Sequence, residues 1–426
     1  MVCPVIKGTM GSDLMLDFII TANSPGEVAA WVQPVVKKIK QKYKQSQISV
    51  FLPPCVFASG SEKEVLADFS EVDHVFAWKQ YLKFILLNRK PNKFKPGVKG
   101  VVLFLGGDIF HAFLLGKKLG YPVLAYTEGD YGWAKYVRKF MVPDYRVKKK
   151  LLEKGADDEK IEVIGNLMLD SLTPKYGPEA FRDYLELKNE KVITLFPGSR
   201  VEEFKLMLPL FINGLLEFGE LDDNYKVLLS QSPFIDDKQI ADYFLKYLSR
   251  NNLKGQFLKK DRYNVMHIFD KLQIKVYENL NYSLMQITDL AISAPGTNNL
   301  ELAYFGIPMI VILPLNKPEI IPLRGLKGLI GEIPYLGTFL KKKIIPKIAA
   351  EKDFISLPNI ISEKNIVPEL VGKLKPQDLT EKIKQYINNE NELLEMQKEL
   401  KGEFTQVSAS DKIIENIDQI LGIGGI

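Results

Sequence analysis

The sequence predicts a doubly wound α/β protein with two parallel sheets, and three observations predict it. Apolar, β-branched runs recur along the 426 residues, most of them without apolar/polar alternation, which suits strands buried on both faces. Helical segments lie between many of these runs, the pattern of a sheet with helices packed on both sides. The runs also fall into two series, parted by "SLTPKYGPEAFRDYLELKNEK" (171–191), a stretch with Pro, Gly and many charges.

The first series is "DFIITA" (17–22), "ISVFLPP" (48–54), "GVVLFLG" (100–106), "PVLAY" (122–126) and "IEVIGN" (161–166). The second is "KVITLFP" (191–197), "KVLLSQ" (226–231), "IKVYE" (274–278), "LAIS" (290–293) and "PMIVILP" (308–314). Segments 29–43 and 202–218 are two of the intervening helices, and 378–421 reads as helices with a turn near 406–412. No repeat or low-complexity tract interrupts them.

Composition excludes several classes. No run of about 18 uncharged apolar residues occurs, so no transmembrane helix is expected. The N-terminus is a poor secretion signal. Cys3 and Cys55 are too few for a disulfide framework and belong to no CxxC, so both are expected as reduced thiols in a cytoplasmic protein. Three scattered histidines (His74, His111, His267) and no Cys pair argue against a zinc site. No metal or cofactor is expected. The formal charge of +5 is modest, and with no recognition motif present it argues against nucleic acid as a partner.

Four glycine turns carry the candidate chemistry. In open α/β sheets ligands bind beyond the carboxyl ends of strands, where helix N-termini offer unpaired N–H groups and about half a positive charge. "SAPGTNNLELA" (293–303) ends a strand at Ser293, turns at Pro295–Gly296, and lets Thr297 cap a helix that Gly306–Ile307–Pro308 stops. Gly296, Thr297 and Asn298 bring no charge to that turn, and Glu301 lies one turn in, where it could accept ribose hydroxyls. A plain capped turn would read the same way. In "ITLFPGSRVEEF" (193–204), after Gly198, Ser199 and Glu202 form a capping-box pattern. Arg200, in the first helical turn, opposes the dipole unless an anion sits between them; it is either a diphosphate clamp or a solvent-facing arginine.

"ANSPGEVAAW" (22–31) is the matching turn of the first half. Gly26 permits close approach, and Asn23 and Glu27 could touch a sugar or an acceptor. It has neither a dinucleotide fingerprint nor a Walker lysine. In "FLGGDIFHAF" (104–113), Asp108 stands at a strand's carboxyl end as a general base or as a helix N-cap. His111 is its partner, an alternative base, or structural.

Taken together, "FPGSRVEEFKLMLPLF", "SAPGTNNLELAYFGIPMIVI" and "FISLPNIISEKNIVPEL" (354–370) resemble the three signature blocks of bacterial lipid-A-disaccharide synthases, in the same order. "VVLFLGGDIFHAF" and "VIGNLMLDSL" (163–172) are similar to stretches of that family's first half. The resemblance implies the glycosyltransferase B fold: two Rossmann-like domains, 1–180 for the acceptor and membrane and 181–405 for the UDP-sugar, with a cleft between them. The final helix, 406–426, would cross back to the first domain. It further implies inverting, metal-independent transfer of an acylated glucosamine from UDP to an acyl-sugar phosphate at the inner face of the cytoplasmic membrane. Carried over residue by residue, Asp108 matches the cleft aspartate and Arg200 the PGSR arginine. Gly296, Thr297 and Glu301 match the nucleotide turn, and Asn359 and Glu369 the last block, which lines the nucleotide side.

Three departures fall in the first half: Ala29, Ala30 and Trp31 in the first turn, His111 where a second aspartate is usual, and "YGWAKYVRK" (131–139) for a fuller aromatic stretch. A leaving UDP needs charge stabilisation, and with no DxD motif after a strand, helix N-termini and Arg200 would supply it. The runner-up is a UDP-N-acetylglucosamine 2-epimerase, for which only Asp108, His111 and Glu27 offer acid/base groups; a non-catalytic lipid- or nucleotide-binding scaffold is the third reading. Segment 79–99 has seven Lys/Arg and no acid among Leu, Ile and Phe, 133–152 is similarly basic, and 320–348 is apolar, glycine-dotted and cationic. Each reads as a contact for an anionic membrane surface or as a solvated face over core helices. A homodimer is left open.

Overall fold

The computed structural model describes residues 16–23, 28–54, 63, 66, 68–219, 224–278, 281–318, 345–347, 351–404 and 408–423. Gly26, Glu27, Cys3, Cys55 and nearly all of segment 320–348 lie outside the described residues. By its internal contacts the chain divides into two compact units, one of residues 1–172 with 406–426, the other of residues 173–405.

The first unit is built on strands β1 (Leu16–Thr21), β2 (Gln47–Phe51), β3 (His74–Phe76), β4 (Lys99–Phe104), β5 (Val123–Tyr126), β6 (Val137–Val142) and β7 (Ile161–Val163). They pair in the order β3-β2-β1-β4-β5-β6-β7, all parallel. Its helices include α1 (Gln33–Lys42), α2 (Trp78–Leu87), α3 (Ile109–Leu119), α4 (Tyr145–Glu153) and α5 (Leu167–Asp170). The unalternating runs have the expected consequence. Phe18, Ile20, Val101 and Leu103 pack into a core on one face of the sheet, while Ile19, Val102 and Phe104 pack on the other. The helix Ala409–Leu421 lays Ile413, Ile417 and Leu421 into the first of these cores. Its Asp411 pairs with Lys38 at 2.8 Å, and Asp418 accepts from Tyr43 at 2.5 Å.

The second unit carries β8 (Lys191–Phe196), β9 (Tyr225–Gln231), β10 (Gly255–Lys259), β11 (Asn264–Ile268), β12 (Leu272–Glu278), β13 (Leu290–Ser293), β14 (Met309–Pro314) and β15 (Glu369–Gly372). Their order is β10-β11-β12-β9-β8-β13-β14-β15. Its helices are α6 (Pro178–Tyr184), α7 (Val201–Phe218), α8 (Asp237–Arg250), α9 (Asn281–Ile287), α10 (Thr297–Tyr304), α11 (Leu357–Ser362), α12 (Pro376–Asn388) and α13 (Glu390–Phe404).

Both units are thus Rossmann-like, but the second sheet is mixed: β10, β11 and β12 meet antiparallel. Sequence reading missed β10 and β11, a five-residue edge strand and its five-residue neighbour, both with polar positions. It also missed β3 and β15, of three and four residues. The basic stretch 133–152 is not one amphipathic segment. It splits into β6, whose Phe140, Met141 and Val142 are buried, and α4, capped by the Asp144 carboxylate on the N–H groups of Arg146 and Val147. No helix among the described residues is long and apolar enough to cross a membrane.

Candidate active site

In the second unit the chain runs from β8 outward to β9 on one side, while β13 pairs on the other, so the order reverses between β8 and β13. A crevice outside the carboxyl ends of the strands opens at such a reversal. Phe196 pairs with Ser293, and Ala294 N–H donates to the Phe196 carbonyl at 2.9 Å. Two turns almost a hundred residues apart in sequence, 197–200 and 294–296, therefore leave adjacent strand ends. Each leads straight into a helix.

The first turn differs from its expected form. Residue Arg200, not Ser199, is the N-cap of α7, its backbone is extended, and no side chain caps that end. Ser199 and Glu202 make no capping box because the helix begins one residue later than the pattern implies. Gly198 has φ +99°, and a Cβ there would meet Glu203 Oε2 at 2.6 Å; glycine lets the N3 glutamate fold back under the turn. The Arg200 guanidinium is 60% exposed and donates to Glu203 Oε1 at 3.0 Å. An exposed pair of this kind contributes roughly 0.2–1 kcal/mol, so exchanging it for a phosphate costs little. Ser232, which sequence reading did not single out, donates to the Ser199 carbonyl at 3.4 Å from the loop after β9.

The second turn is held from beneath. Gly296, not Thr297, is the N-cap of α10. Asn299, fully buried, accepts from Gly296 N–H at 3.1 Å and donates to Ser293 Oγ and the Ala294 carbonyl. Gly296 has an extended φ of 168°, and a Cβ on it would touch nothing within 4 Å. Nothing inside the protein requires glycine here; open space lies directly over the backbone. Thr297 is exposed and Asn298 half-buried. Glu301 is 8% exposed, its carboxyl makes no hydrogen bond among the described residues, and burial pushes that carboxyl up to about 7. Burial also raises the Tyr282 hydroxyl, and Glu301 adds to that.

Asn359 and Glu369 build a wall. Glu369 accepts from the N–H groups of Ile355 and Ser356 at 2.9 Å, from Ser356 Oγ at 2.6 Å and from Asn359 Nδ2 at 2.9 Å. Asn359 is fully buried and also bonds the backbone of Ile366 and Val367. Its amide is spent inside the protein, so Asn359 shapes the 353–356 loop and offers nothing directly to a ligand. Glu369 lines a cavity of about 640 Å3 with Leu315, Phe354, Ile355 and Asn365.

The first unit reverses between β1 and β4, and there too its turns meet. Leu105 N–H donates to the Thr21 carbonyl at 2.9 Å. Gly107 has φ +85°, and a Cβ on it would stand 2.3 Å from the end of the Asn23 side-chain amide, so only glycine lets β4's end pass Asn23. Asp108 is exposed and caps α3, Oδ1 accepting from Phe110 N–H at 2.8 Å. His111, in the first turn of α3, lies 2.7 Å by Nδ1 from the Tyr81 hydroxyl. Burial lowers the imidazole's pKa, and Asp108 partly offsets that. Phe110 and Phe113 of α3 cluster with Trp133 and Tyr136 from the turn before β6, Phe113 stacked on Trp133 at 4.9 Å, with Trp133 and Tyr136 half exposed. Tyr81 lay unnoticed in a stretch whose obvious feature is positive charge.

Two Rossmann-like domains, each with its glycine turns gathered at a strand-order reversal, define a two-domain α/β enzyme of the glycosyltransferase B architecture. Solved structures share this fold. A UDP-N-acetylglucosamine 2-epimerase of Neisseria meningitidis, solved with UDP-GlcNAc, matches with TM-score 0.56 at 16% identity, covering 95% of this chain and 100% of that one. The UDP-GlcNAc 2-epimerase of Methanocaldococcus jannaschii gives 0.54 at 14% identity, covering 95% and 99%. In sequence, residues 156–321 match the family described as Lipid-A-disaccharide synthetase. A lipid-A-disaccharide synthase of Coxiella burnetii is 24% identical over 363 residues, 82% of this chain and 80% of that protein. Another, of Wigglesworthia glossinidia brevipalpis, is 27% identical over 294 residues, 66% and 65% of the two chains. The chain is thus similar to the lipid-A-disaccharide synthases over most of its length, which supports a glycosyltransferase.

Proposed function

We propose that the protein moves an acylated glucosamine from its UDP ester to an acyl-sugar acceptor, with inversion and without a metal. The observation that carries this reading is the pairing of β8 with β13, which sets two helix N-termini free of side-chain caps side by side, with Arg200 at one and open space over Gly296 at the other. Backbone N–H groups fixed in this way hold a diphosphate with no reorganisation as charge develops on it. Arg200 leaves Glu203 to make paired bonds to the leaving UDP. Glu301 takes the ribose hydroxyls, and the cavity beside Glu369 accommodates the base.

In the first unit, Asp108 accepts the proton of the attacking hydroxyl through the carboxylate oxygen that does not cap α3. The hydroxyl adds to the anomeric carbon on the face opposite UDP, which departs with the bond's electron pair, hence inversion. The Phe113–Trp133–Tyr136 cluster is the apolar surface for the acceptor's acyl chains. The outer side of α2, with exposed Trp78, Leu86 and Leu87 among Lys79, Lys83 and Arg89, rests on the anionic inner leaflet of the cytoplasmic membrane.

The test is turnover of labelled UDP-activated acylated glucosamine by the purified protein in EDTA. UDP release that requires an acyl-sugar acceptor, with a disaccharide as product, is the expected result. A C2-epimerised sugar would establish the epimerase reading instead, and loss of activity in EDTA would overturn metal independence.

A further inference from the structure

We infer that Tyr81 is a positioning residue that fixes His111 as its Nε2–H tautomer, making the imidazole a hydrogen-bond donor at the acceptor site and leaving proton acceptance to Asp108. The catalytic half of this inference rests on the reading of Asp108 above; the tautomer does not.

One proton decides the tautomer. Tyr81, in the first turns of α2, is 1% exposed, and its ring meets the His111 ring edge-on at 5.1 Å and 89°. Its hydroxyl lies 2.7 Å from Nδ1 and makes no other hydrogen bond among the described residues. If the oxygen accepted a proton from Nδ1–H, the hydroxyl's own proton would be buried without an acceptor, a costly arrangement. With the hydroxyl donating, every group is satisfied: Nδ1 accepts, and the neutral ring's single proton sits on Nε2.

An imidazole in that state has no lone pair free to take a proton from a substrate hydroxyl. His111 is therefore not the alternative base that its position in the sequence allows. Charging the ring would set Nδ1–H against the tyrosine O–H, so Tyr81 opposes the imidazolium form. Burial of the ring acts in the same direction, and burial also keeps the phenol protonated. Tyr81 is the titratable group facing His111 from α2, and Asp108, at the start of α3, is the charged group that raises its pKa. An imidazolium there would sit beside Asp108 and weaken it as a base; the tyrosine prevents this.

The chain has three histidines, so 15N-histidine spectra of the intact protein are simple to assign. In the wild type, His111 should show a protonated Nε2 and a hydrogen-bonded, unprotonated Nδ1, and should titrate below the ordinary imidazole value. Tyr81→Phe removes one hydroxyl, frees Nδ1 and moves the titration up toward the ordinary value of about 6.5. One pH unit below its own midpoint the variant's ring is about nine-tenths protonated, so transfer there falls by up to about tenfold relative to wild type and is near wild type at pH 8. An Nδ1–H signal in the wild type, or an unshifted titration in Tyr81→Phe, overturns the inference whatever Asp108 does. Full transfer by Asp108→Asn alongside the expected spectra overturns the assignment of the base and leaves the tautomer standing.

Discussion

The two strand-order reversals share a topology and differ in material. At β8–β13 the exposed chemistry is main chain: two helix starts without side-chain caps, Gly296 under open space, and one exchangeable arginine. At β1–β4 it is side chain: the Asp108 carboxylate, the His111–Tyr81 pair and a half-exposed aromatic cluster. On the proposed function, the difference follows from the tasks. A diphosphate can be held by amides whose positions the fold dictates, so its site needs small, uncharged residues. Removing a proton needs a basic side chain at one defined point, with neighbours that do not compete for the role.

Replacing Asp108 should have the greatest consequence. Asp108→Asn keeps the cap on α3, since asparagine caps about as well as aspartate. It should lower transfer about a thousandfold, within the usual span for a general base. UDP affinity, measured calorimetrically, should stay within about twofold, because the nucleotide's contacts are assigned to the other unit. Equal losses in both would refute the division of labour. Asp108→Ala should behave alike in transfer and in addition lose about 1 kcal/mol of stability with the cap.

Much of this was legible in the sequence, for reasons that differ between the halves. Apolar runs without alternation gave ten of the strands to within a few residues, since burial on both faces leaves a strong local mark. The glycine turns at 197–200 and 294–296 were legible because their peculiarity, an uncharged or dipole-opposing start to a helix, is also local. What a linear reading could not give was tertiary. It placed both N-caps one residue off, at Ser199 and Thr297, because the Ser199–Glu202 spacing and the Thr297 hydroxyl look sufficient until the backbone shows otherwise. It assigned Asn359 to the ligand, whereas the fold spends that amide on Glu369, Ile366 and Val367. The Tyr81–His111 bond spans 30 residues and two helices, and no spacing rule encodes it.

Arg200 gives the second test, of intermediate size. Its one ion pair among the described residues is with Glu203, and it is 60% exposed, so Arg200→Ala should leave stability within about 0.5 kcal/mol of wild type. UDP affinity should fall about tenfold or more with the loss of charge-assisted bonds. Uridine, which lacks the phosphates, should bind the variant as it binds the wild type. Arg200→Lys should recover only part of the loss, because an ammonium cannot bridge two phosphate oxygens in the planar forked geometry of a guanidinium. Unchanged UDP affinity in the alanine variant would remove Arg200 from the diphosphate and leave the site wholly to backbone amides.

Glu301 gives the smallest effect on binding and sharpens the comparison most, as the one side chain at the backbone-built site with a strongly shifted charge. Burial lifts its carboxyl from the ordinary 4.5 to about 7, so between those values the folded protein holds a proton that the unfolded chain has released. Its contribution to stability is therefore fully present below pH 4.5 and lost as pH rises through 7, an amount on the order of 3 kcal/mol. Glu301→Gln should flatten that slope and leave the free protein more stable than wild type at pH 8. Ribose hydroxyls donating to the carboxylate favour its ionised form, so UDP binding near pH 6.5 should release protons, seen as a dependence of the binding heat on the buffer. Wild type should prefer UDP over 2′-deoxy-UDP by a few-fold, and Glu301→Gln should lose that preference. Equal discrimination by both proteins would mean that Glu301 does not meet the ribose, and that its buried charge answers to some other group.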